Sequence, residues 1–456
     1  MREYIKIELG NEKEFVLKLL HWCSTFENVS FLNSNGNSSA PYEHIDVEHT
    51  YDLILGVDSV TSCEFNSNND FGELKQYCTQ TNDWLFGHFS YDLKNQIESL
   101  SSNNFDGIEF PEISFFQPTY LFLLKGNNLQ IGYLRDYSNE SEIRKLVESI
   151  RQFPIANCQL STESFKIKAR ITKGEYIAKI NKIKQHIHRG DIYEMNFCME
   201  FFAEQATLDP VQTYLSLNEI SQTPFSAFYK VKDNYLLSSS PERFLKKSGN
   251  RLLSQPIKGT ARRGENLFED EQLKSRLRFD EKERNENVMI VDLVRNDLSR
   301  SAVKGSVKVE ELYGVYTFKQ VHQMISSVSA ELKEGVHFVD AIKNAFPMGS
   351  MTGAPKIKAM ELIEQYESTK RGLYSGAMGY ITPSGDFDFN VVIRSILYNA
   401  SEKYLSFMVG SAITSRANAE QEYDECVLKA SAMLEVLGAP HLESDNLYTT
   451  GDAQSV

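Results

Sequence analysis

Cysteine, tryptophan and proline are scarce in this chain of 456 residues, which has six, two and twelve of them. The cysteines (Cys23, Cys63, Cys78, Cys158, Cys198 and Cys426) show no Cys-x-x-Cys spacing and no paired histidines nearby. That excludes a zinc site and a disulfide framework. None is flanked by glycines as a nucleophile elbow would be, which argues against a built-in glutamine amidotransferase. No apolar run reaches the length of a membrane span, so a membrane is not an expected partner. The opening Met1-Arg2-Glu3-Tyr4-Ile5-Lys6 is charged and lacks the apolar run of a signal peptide, which predicts a cytoplasmic location. Positive charge is also short, with 48 Lys and Arg against 62 Asp and Glu, a net charge of −14. Such a field disfavours nucleic acid as a partner, and any acidic ligand needs a locally basic pocket.

What is present is ordinary globular material, 41% hydrophobic and 24% charged, enough for two or three average domains or one interwoven domain. No internal repeat is visible. Residues 27–43, rich in Asn, Ser and Gly, read as a long loop, residues 98–108 are similar, and 441–456 form a polar tail. Strand-like runs at Tyr51–Gly56, Trp84–Ser90 and Tyr120–Leu124 mark a region over residues 1–170. From residue 171 to 440 helical patterns (Gly174–His188, Leu267–Phe279, Glu281–Ser299, Pro355–Tyr366, Ala417–Leu437) alternate with strands. Those strands are Met195–Phe202, Ser226–Val231, Tyr235–Ser239, Gly376–Ile381, Asp388–Tyr398 and Tyr404–Val409. Short connections between them predict an α+β fold with antiparallel pairing.

Several segments carry chemistry. In Pro256-Ile257-Lys258-Gly259-Thr260-Ala261-Arg262-Arg263-Gly264, Lys258 sits between an apolar pair and a small turn. Desolvation there lowers an amine's pKa and makes it a nucleophile; the alternative is an exposed lysine on a flexible stem. Glu286 falls on the apolar stripe Met289, Ile290, Leu293 and Val294, where a carboxylate is costly unless it is paired or bound to a metal. The alternative is a stripe-edge Glu reaching water. Glu422, Glu425 and Lys429 share one face of a second helix, which also reads as a solvated ladder of ion pairs. Carboxylates from two helices, without His or Cys, suit a hard ion such as Mg²⁺. Phe346–Lys356 is a Gly-rich turn opening a helix, where free N–H groups suit a carboxylate or phosphate. Arg394 lies in an apolar strand, either facing outward or clamping a substrate carboxylate. Gly410-Ser411-Ala412 ends a strand with small residues that let backbone approach a ligand.

Taken in order, these segments resemble the chorismate-utilising enzymes: anthranilate, aminodeoxychorismate, isochorismate and salicylate synthases. The resemblance covers roughly Lys173 to Leu437. It rests on Gly190-Asp191-Ile192-Tyr193, Ser240-Pro241-Glu242-Arg243-Phe244, the Lys258 motif, the run Glu286–Leu298, Phe346–Lys356 and Glu422-Tyr423-Asp424-Glu425. Gly87-His88-Phe89-Ser90-Tyr91-Asp92 resembles a family stretch in the looser N-terminal part. The aminodeoxychorismate-forming branch matches best, because family anthranilate synthases carry Ala where this chain has Lys258. Tyr193 and Asn196 also resemble that branch. Isochorismate and salicylate synthases place a base lysine where Glu194 stands here, which argues against water as the nucleophile.

The resemblance implies two packed antiparallel sheets flanked by helices, with the site in the cleft between them. It also implies that chorismate and ammonia are converted to 4-amino-4-deoxychorismate, on the route to p-aminobenzoate and folate. Ammonia would come from a separate glutamine amidotransferase subunit. Lys258 would be the covalent nucleophile, and Glu242 the acid for the departing C4 hydroxyl, with a pKa raised by its pocket. Glu286 and Glu425 would bind Mg²⁺, with Glu422 bonded to ion-bound water. Arg394 and Tyr380 would hold the enolpyruvyl carboxylate, helped by backbone N–H groups near Gly410 and Ala412, while Thr260, Ser350 and Lys429 line the pocket. One departure stands out: Gln323 occupies the usual place of a family histidine, and His322 has moved back one position. The rival readings are an anthranilate synthase, and a chorismate- or tryptophan-binding protein without turnover.

Overall fold

The computed structural model describes residues 1–36, 51–65, 70–155 and 165–439. Two large sheets organise the chain, and every strand pairing within them is antiparallel. The first has twelve strands. Five from the N-terminal region (Arg2–Glu8, Asn128–Leu134, Tyr120–Lys125, Leu53–Val57 and Asn28–Asn33) run into six later ones. These are Phe225–Val231, Asn234–Ser240, Ser395–Asn399, Tyr404–Ile413, Glu194–Ala203 and the short Gly353–Ala354, with Lys168–Ala169 attached to Glu194–Ala203. The second has ten strands, beginning at Ile257–Arg262, Val321–Glu331, Arg251–Gln255 and Arg243–Ser248. It continues through Phe387–Val391, Ala377–Ile381, Leu85–Phe89, Ile113–Gln117 and Thr61–Phe65, and Lys308–Thr317 pairs with Val321–Glu331. Both sheets therefore draw strands from before and after residue 170.

The central strands of the first sheet are buried on both faces, so Glu194–Ala203 is buried along its whole length, whereas the outer strand Arg2–Glu8 is buried only at Ile5. Phe228, Leu237 and Ile396 face a core covered by helices, among them Lys173–Arg189, Lys356–Tyr366 and Ala419–Val436. Their neighbours Ala227, Tyr229, Leu236 and Leu397 face a core shared with Phe86, Phe115 and Phe389 of the second sheet. Each large apolar side chain so buried contributes roughly 1.5–3 kcal/mol. Helix ends follow local chemistry. Asp280 accepts from the backbone N–H of Glu283 and starts Glu281–Ser299, and Asn266 does the same for Leu267–Phe279. Gly190 closes Lys173–Arg189 in the left-handed conformation, at φ 83°.

The structure differs from the sequence expectations in four places. Residues 27–43 are not wholly loop: Asn28–Asn33 is a strand with a partner on each side, and that pairing outweighs its turn-like composition; residues 37–43 and the tail lie outside the described residues. The expected strand Asp388–Tyr398 is two strands, Phe387–Val391 in the second sheet and Ser395–Asn399 in the first. The chain crosses between sheets at Arg394, whose φ is +50°. Gly410, Ser411 and Ala412 do not end a strand but lie within Tyr404–Ile413, paired with Cys198, Phe197 and Asn196. The stretch Phe346–Lys356 forms a short 3₁₀ turn and the strand Gly353–Ala354 before its helix begins at Lys356. Among the described residues no helix is long and apolar enough to cross a membrane.

Candidate active site

A cavity of about 550 Å³ opens where the two sheets and two helices converge, within the size range of small-molecule sites. The second sheet contributes Lys258 and Thr260 from its edge strand and Gln323 from the adjoining one. Glu242 comes from the turn between Asn234–Ser240 and Arg243–Ser248, and Ser350 from the 3₁₀ turn. Past Ser406, the strand Tyr404–Ile413 has lost its partner Ser395–Asn399 and is paired only with Glu194–Ala203. Gly410 and Ala412 lie in this one-sided part, and both line the cavity, as does Arg394 at the sheet crossover. Helix Glu281–Ser299 supplies Glu286, and helix Ala419–Val436 supplies Glu422, Glu425 and Lys429. Residues up to 187 positions apart in sequence, Glu242 and Lys429, thus meet in one space.

The charges form two groups. In the first, Lys258 Nζ lies 3.2 Å from Glu194 Oε1, the lysine side chain 12% exposed and the glutamate 1%. Burial alone lowers the Lys258 ammonium, as the sequence suggested. Glu194, Glu286 and Glu242 reverse that effect and leave its pKa raised, so the expectation of a free neutral amine is corrected. Glu242 is 4% exposed and accepts a hydrogen bond of 2.6 Å from Ser350 Oγ. Burial pushes its carboxyl up to about 7 against the opposing pull of Ser350 and Lys258, the direction expected for it.

In the second group Lys282 Nζ lies 3.2 Å from Glu422 and 3.9 Å from Glu286. Lys429 Nζ pairs with Glu425 at 2.7 Å and donates to the Gly410 carbonyl at 2.9 Å. Burial raises the Glu286 carboxyl to about 8, with Lys258 pulling the other way. Burial also opposes ionisation of Glu425, yet Lys429 prevails and holds that carboxyl below its ordinary value. Arg394 has no ion-pair partner among the described residues, and burial lowers its guanidinium. It is a cation available to an acidic ligand.

Tyr380 does not line the cavity. It sits in Ala377–Ile381 against Trp84 and Phe86, with ring centroids 5.5 and 6.2 Å away. Tyr374, in the turn before that strand, lines the cavity instead. Of the Phe346–Lys356 stretch only Ser350 and Met351 reach it, while Lys356 pairs with Asp297 at 2.9 Å. His322 bonds Thr317 and Asp270, at 2.9 and 3.0 Å, whereas Gln323 lines the cavity with its Oε1 buried and unpartnered. Sequence reasoning also gave no role to Lys282, although it stands one helical turn before Glu286, or to Glu194 as a partner of Lys258. A carboxylate heading the apolar strand Glu194–Ala203 was the available signal.

The fit of Mg²⁺ rests on the donor set. Glu286, Glu422 and Glu425 offer carboxylate oxygens, the kind Mg²⁺ takes, and Glu286 Oε1 is buried without a hydrogen-bond partner. No three metal-binding side chains among the described residues are already gathered around one point. Lys282 instead supplies positive charge to Glu286 and Glu422. The residues are therefore suited to a divalent cation that takes over the role of the Lys282 ammonium.

Fold and site together define a class. The chain belongs to the chorismate binding enzyme family, whose model matches residues 32–435. Among individual relatives, aminodeoxychorismate synthase component 1 of Escherichia coli is 33% identical over 77% of this chain and 76% of its own length. That of Bacillus subtilis is 34% identical over the same shares, and the anthranilate synthase component 1 of Bacillus subtilis is 35% identical over 69% of this chain and 62% of its own. Two solved structures share the fold. Anthranilate synthase component I from Streptococcus pneumoniae matches with TM-score 0.73 and 24% identity, over 88% of this chain and 98% of its own. The menaquinone-specific isochorismate synthase from Escherichia coli matches with TM-score 0.72 and 16% identity, over 96% and 94%.

Proposed function

We propose that this protein forms 4-amino-4-deoxychorismate from chorismate and ammonia, the aminodeoxychorismate synthase reaction, a transferase step toward p-aminobenzoate and folate. The observation that carries the reading is Lys258, a nearly buried lysine in the same cavity as a carboxyl, Glu242, whose pKa is raised to about 7. In this reading Lys258 Nζ bonds to ring C2, the ring double bond shifts, and the C4 hydroxyl leaves as water with the proton of Glu242. Ammonia then bonds to C4, the double bond shifts back, and the bond to Lys258 breaks. Arg394 and the backbone near Gly410 and Ala412 hold the enolpyruvyl carboxylate, and Thr260, Ser350 and Lys429 complete the pocket. Glu286 and Glu425 would hold Mg²⁺, and Glu422 would bond to its water. When bound, the ion supplies positive charge that neutralises the ring carboxylate. Relatives named as a first component support a partner, which we take to be a glutaminase supplying ammonia.

The test is to incubate the full chain with chorismate, Mg²⁺ and an ammonium salt at alkaline pH, and to identify products by chromatography and mass. Aminodeoxychorismate, converted to p-aminobenzoate when a lyase is added, is the expected result. Anthranilate would overturn the assignment to this branch, and chorismate binding without product would overturn turnover.

A further inference from the structure

We infer that Glu194 is the proton acceptor that readies Lys258, a positioning and proton-relay residue built into the join between the two sheets. This rests on the reading of Lys258 as the covalent nucleophile. Glu194 opens the strand Glu194–Ala203 of the first sheet, and Lys258 lies on the edge strand of the second. Among the described residues Glu194 is the carboxylate in ion-pair range of Lys258, at 3.2 Å. Its position is fixed by backbone. Glu194 pairs with Ala354, and a Cβ on the neighbouring Gly353 would stand 2.2 Å from the Glu194 carbonyl oxygen. Only glycine lets the two chains approach that closely.

Three features separate this arrangement from an ordinary structural ion pair. Lys258 lines the cavity in which the ligand must sit. The glutamate is 1% exposed, so solvent is poorly placed to take the lysine's proton. The second carboxylate oxygen, Glu194 Oε2, is buried with no hydrogen-bond partner. That oxygen is an acceptor site that no other donor among the described residues occupies. The other charged groups whose fields reach Lys258 are Glu242, Glu283, Glu286 and Glu425. Lys282 pairs with Glu286 from the same helix, not with Glu194.

The step balances. The Lys258 ammonium gives one proton to Glu194, leaving a neutral amine and a neutral carboxyl. The amine forms the bond to ring C2, the C4–oxygen bond breaks, and water leaves with the proton from Glu242. Lys258 is then a secondary ammonium and Glu242 a carboxylate. When ammonia bonds to C4 and releases Lys258 as a neutral amine, the proton held by Glu194 returns to it, and the new C4 ammonium gives one proton to Glu242.

The test is rapid-quench mass spectrometry of the full chain with chorismate and Mg²⁺ but no ammonia. Wild type is expected to gain the mass of chorismate less one water, located on Lys258. If wild type gains no adduct at any pH, the covalent reading fails, and with it this inference. Given an adduct, Glu194→Gln is expected to form it about a hundredfold more slowly at pH 7, with the KM for chorismate within twofold and the melting midpoint unchanged. Its deficit relative to wild type should shrink as pH rises, because hydroxide replaces the missing acceptor. Glu194→Asp keeps a carboxylate and should be slower than wild type by a factor that does not vary with pH. That variant also serves if Glu194→Gln folds poorly. Because Glu194 also helps to hold Lys258 as an ammonium, its loss frees the amine if it plays no acceptor role. An adduct rate in Glu194→Gln equal to or above wild type, or a deficit that is constant with pH, would therefore overturn the role of Glu194 while leaving Lys258 as the nucleophile.

Discussion

Replacing Glu242 with Gln keeps the length of the side chain and its reach to Ser350 but removes the proton it holds. An ordinary glutamate with a pKa of 4.5 is protonated in about one molecule in three hundred at pH 7. Burial moves Glu242 to about 7, so half of the molecules hold the proton at that pH. The pocket thus raises the amount of usable acid by about a hundredfold, comparable with what a positioned general acid contributes, roughly 10²–10⁴-fold. The sign follows from the direction of the shift. The acid is loaded below pH 7 and lost as pH rises through it. In single-turnover measurements of adduct formation without ammonia, wild type should fall about tenfold per pH unit above 7, and Glu242→Gln should be about a hundredfold slower at pH 6. Ser350→Ala removes a donor that stabilises the charged form, 2.6 Å away, so its descending limb should move to higher pH. A wild-type rate that rises from pH 7 to 9, matched by Glu242→Gln, would refute the assignment of Glu242 as the acid.

Other expectations are checked more briefly. Lys258→Ala should abolish adduct formation and aminodeoxychorismate synthesis while chorismate still binds, read by intact mass and equilibrium titration. Lys282→Gln leaves Glu286 and Glu422 without their shared cation, so it should melt a few degrees lower than wild type in chelator and regain more on adding Mg²⁺. Tyr380→Phe should leave the KM for chorismate within twofold, since the ring packs on Trp84 and Phe86 away from the cavity. A clear rise in that KM would mean that Tyr380 meets the substrate after all.

The helix that carries Glu286, and the helix before it, were legible because their ends are local chemistry. Asn266 and Asp280 cap Leu267–Phe279 and Glu281–Ser299 with side chains adjacent in sequence, and both spans match their expected bounds. The break at Arg394 was not legible, since apolar residues flank it on both sides (Val391, Val392, Ile393, then Ile396 and Leu397) and only the presence of two sheets forces the chain to cross. Asn28–Asn33 misled in the opposite sense, lying in a stretch rich in Asn, Ser and Gly yet held by neighbours on both sides. The state of Lys258 was misjudged for the same reason. Its Pro-Ile-Lys-Gly-Thr context speaks of desolvation, but the carboxylates that reverse the effect come from positions 194, 242 and 286. Tyr380 and Tyr374 are six residues apart, and which of them meets the cavity is decided by strand packing rather than by any local pattern.

The interleaving of early and late strands also has a consequence for the order in which the molecule can assemble. Asn28–Asn33 gains its second neighbour only when Phe225–Val231 exists, and Glu194–Ala203 waits for Tyr404–Ile413. During synthesis from the N-terminus, neither sheet can close until nearly the whole polypeptide has emerged. Such distant pairings make for slow folding. In the meantime strands destined for burial on both faces stand with open edges, which is the exposure that invites aggregation. Those edges stay open until the chain has been made as far as residue 413, and a fragment beginning at residue 171 would lack the strands that complete both sheets.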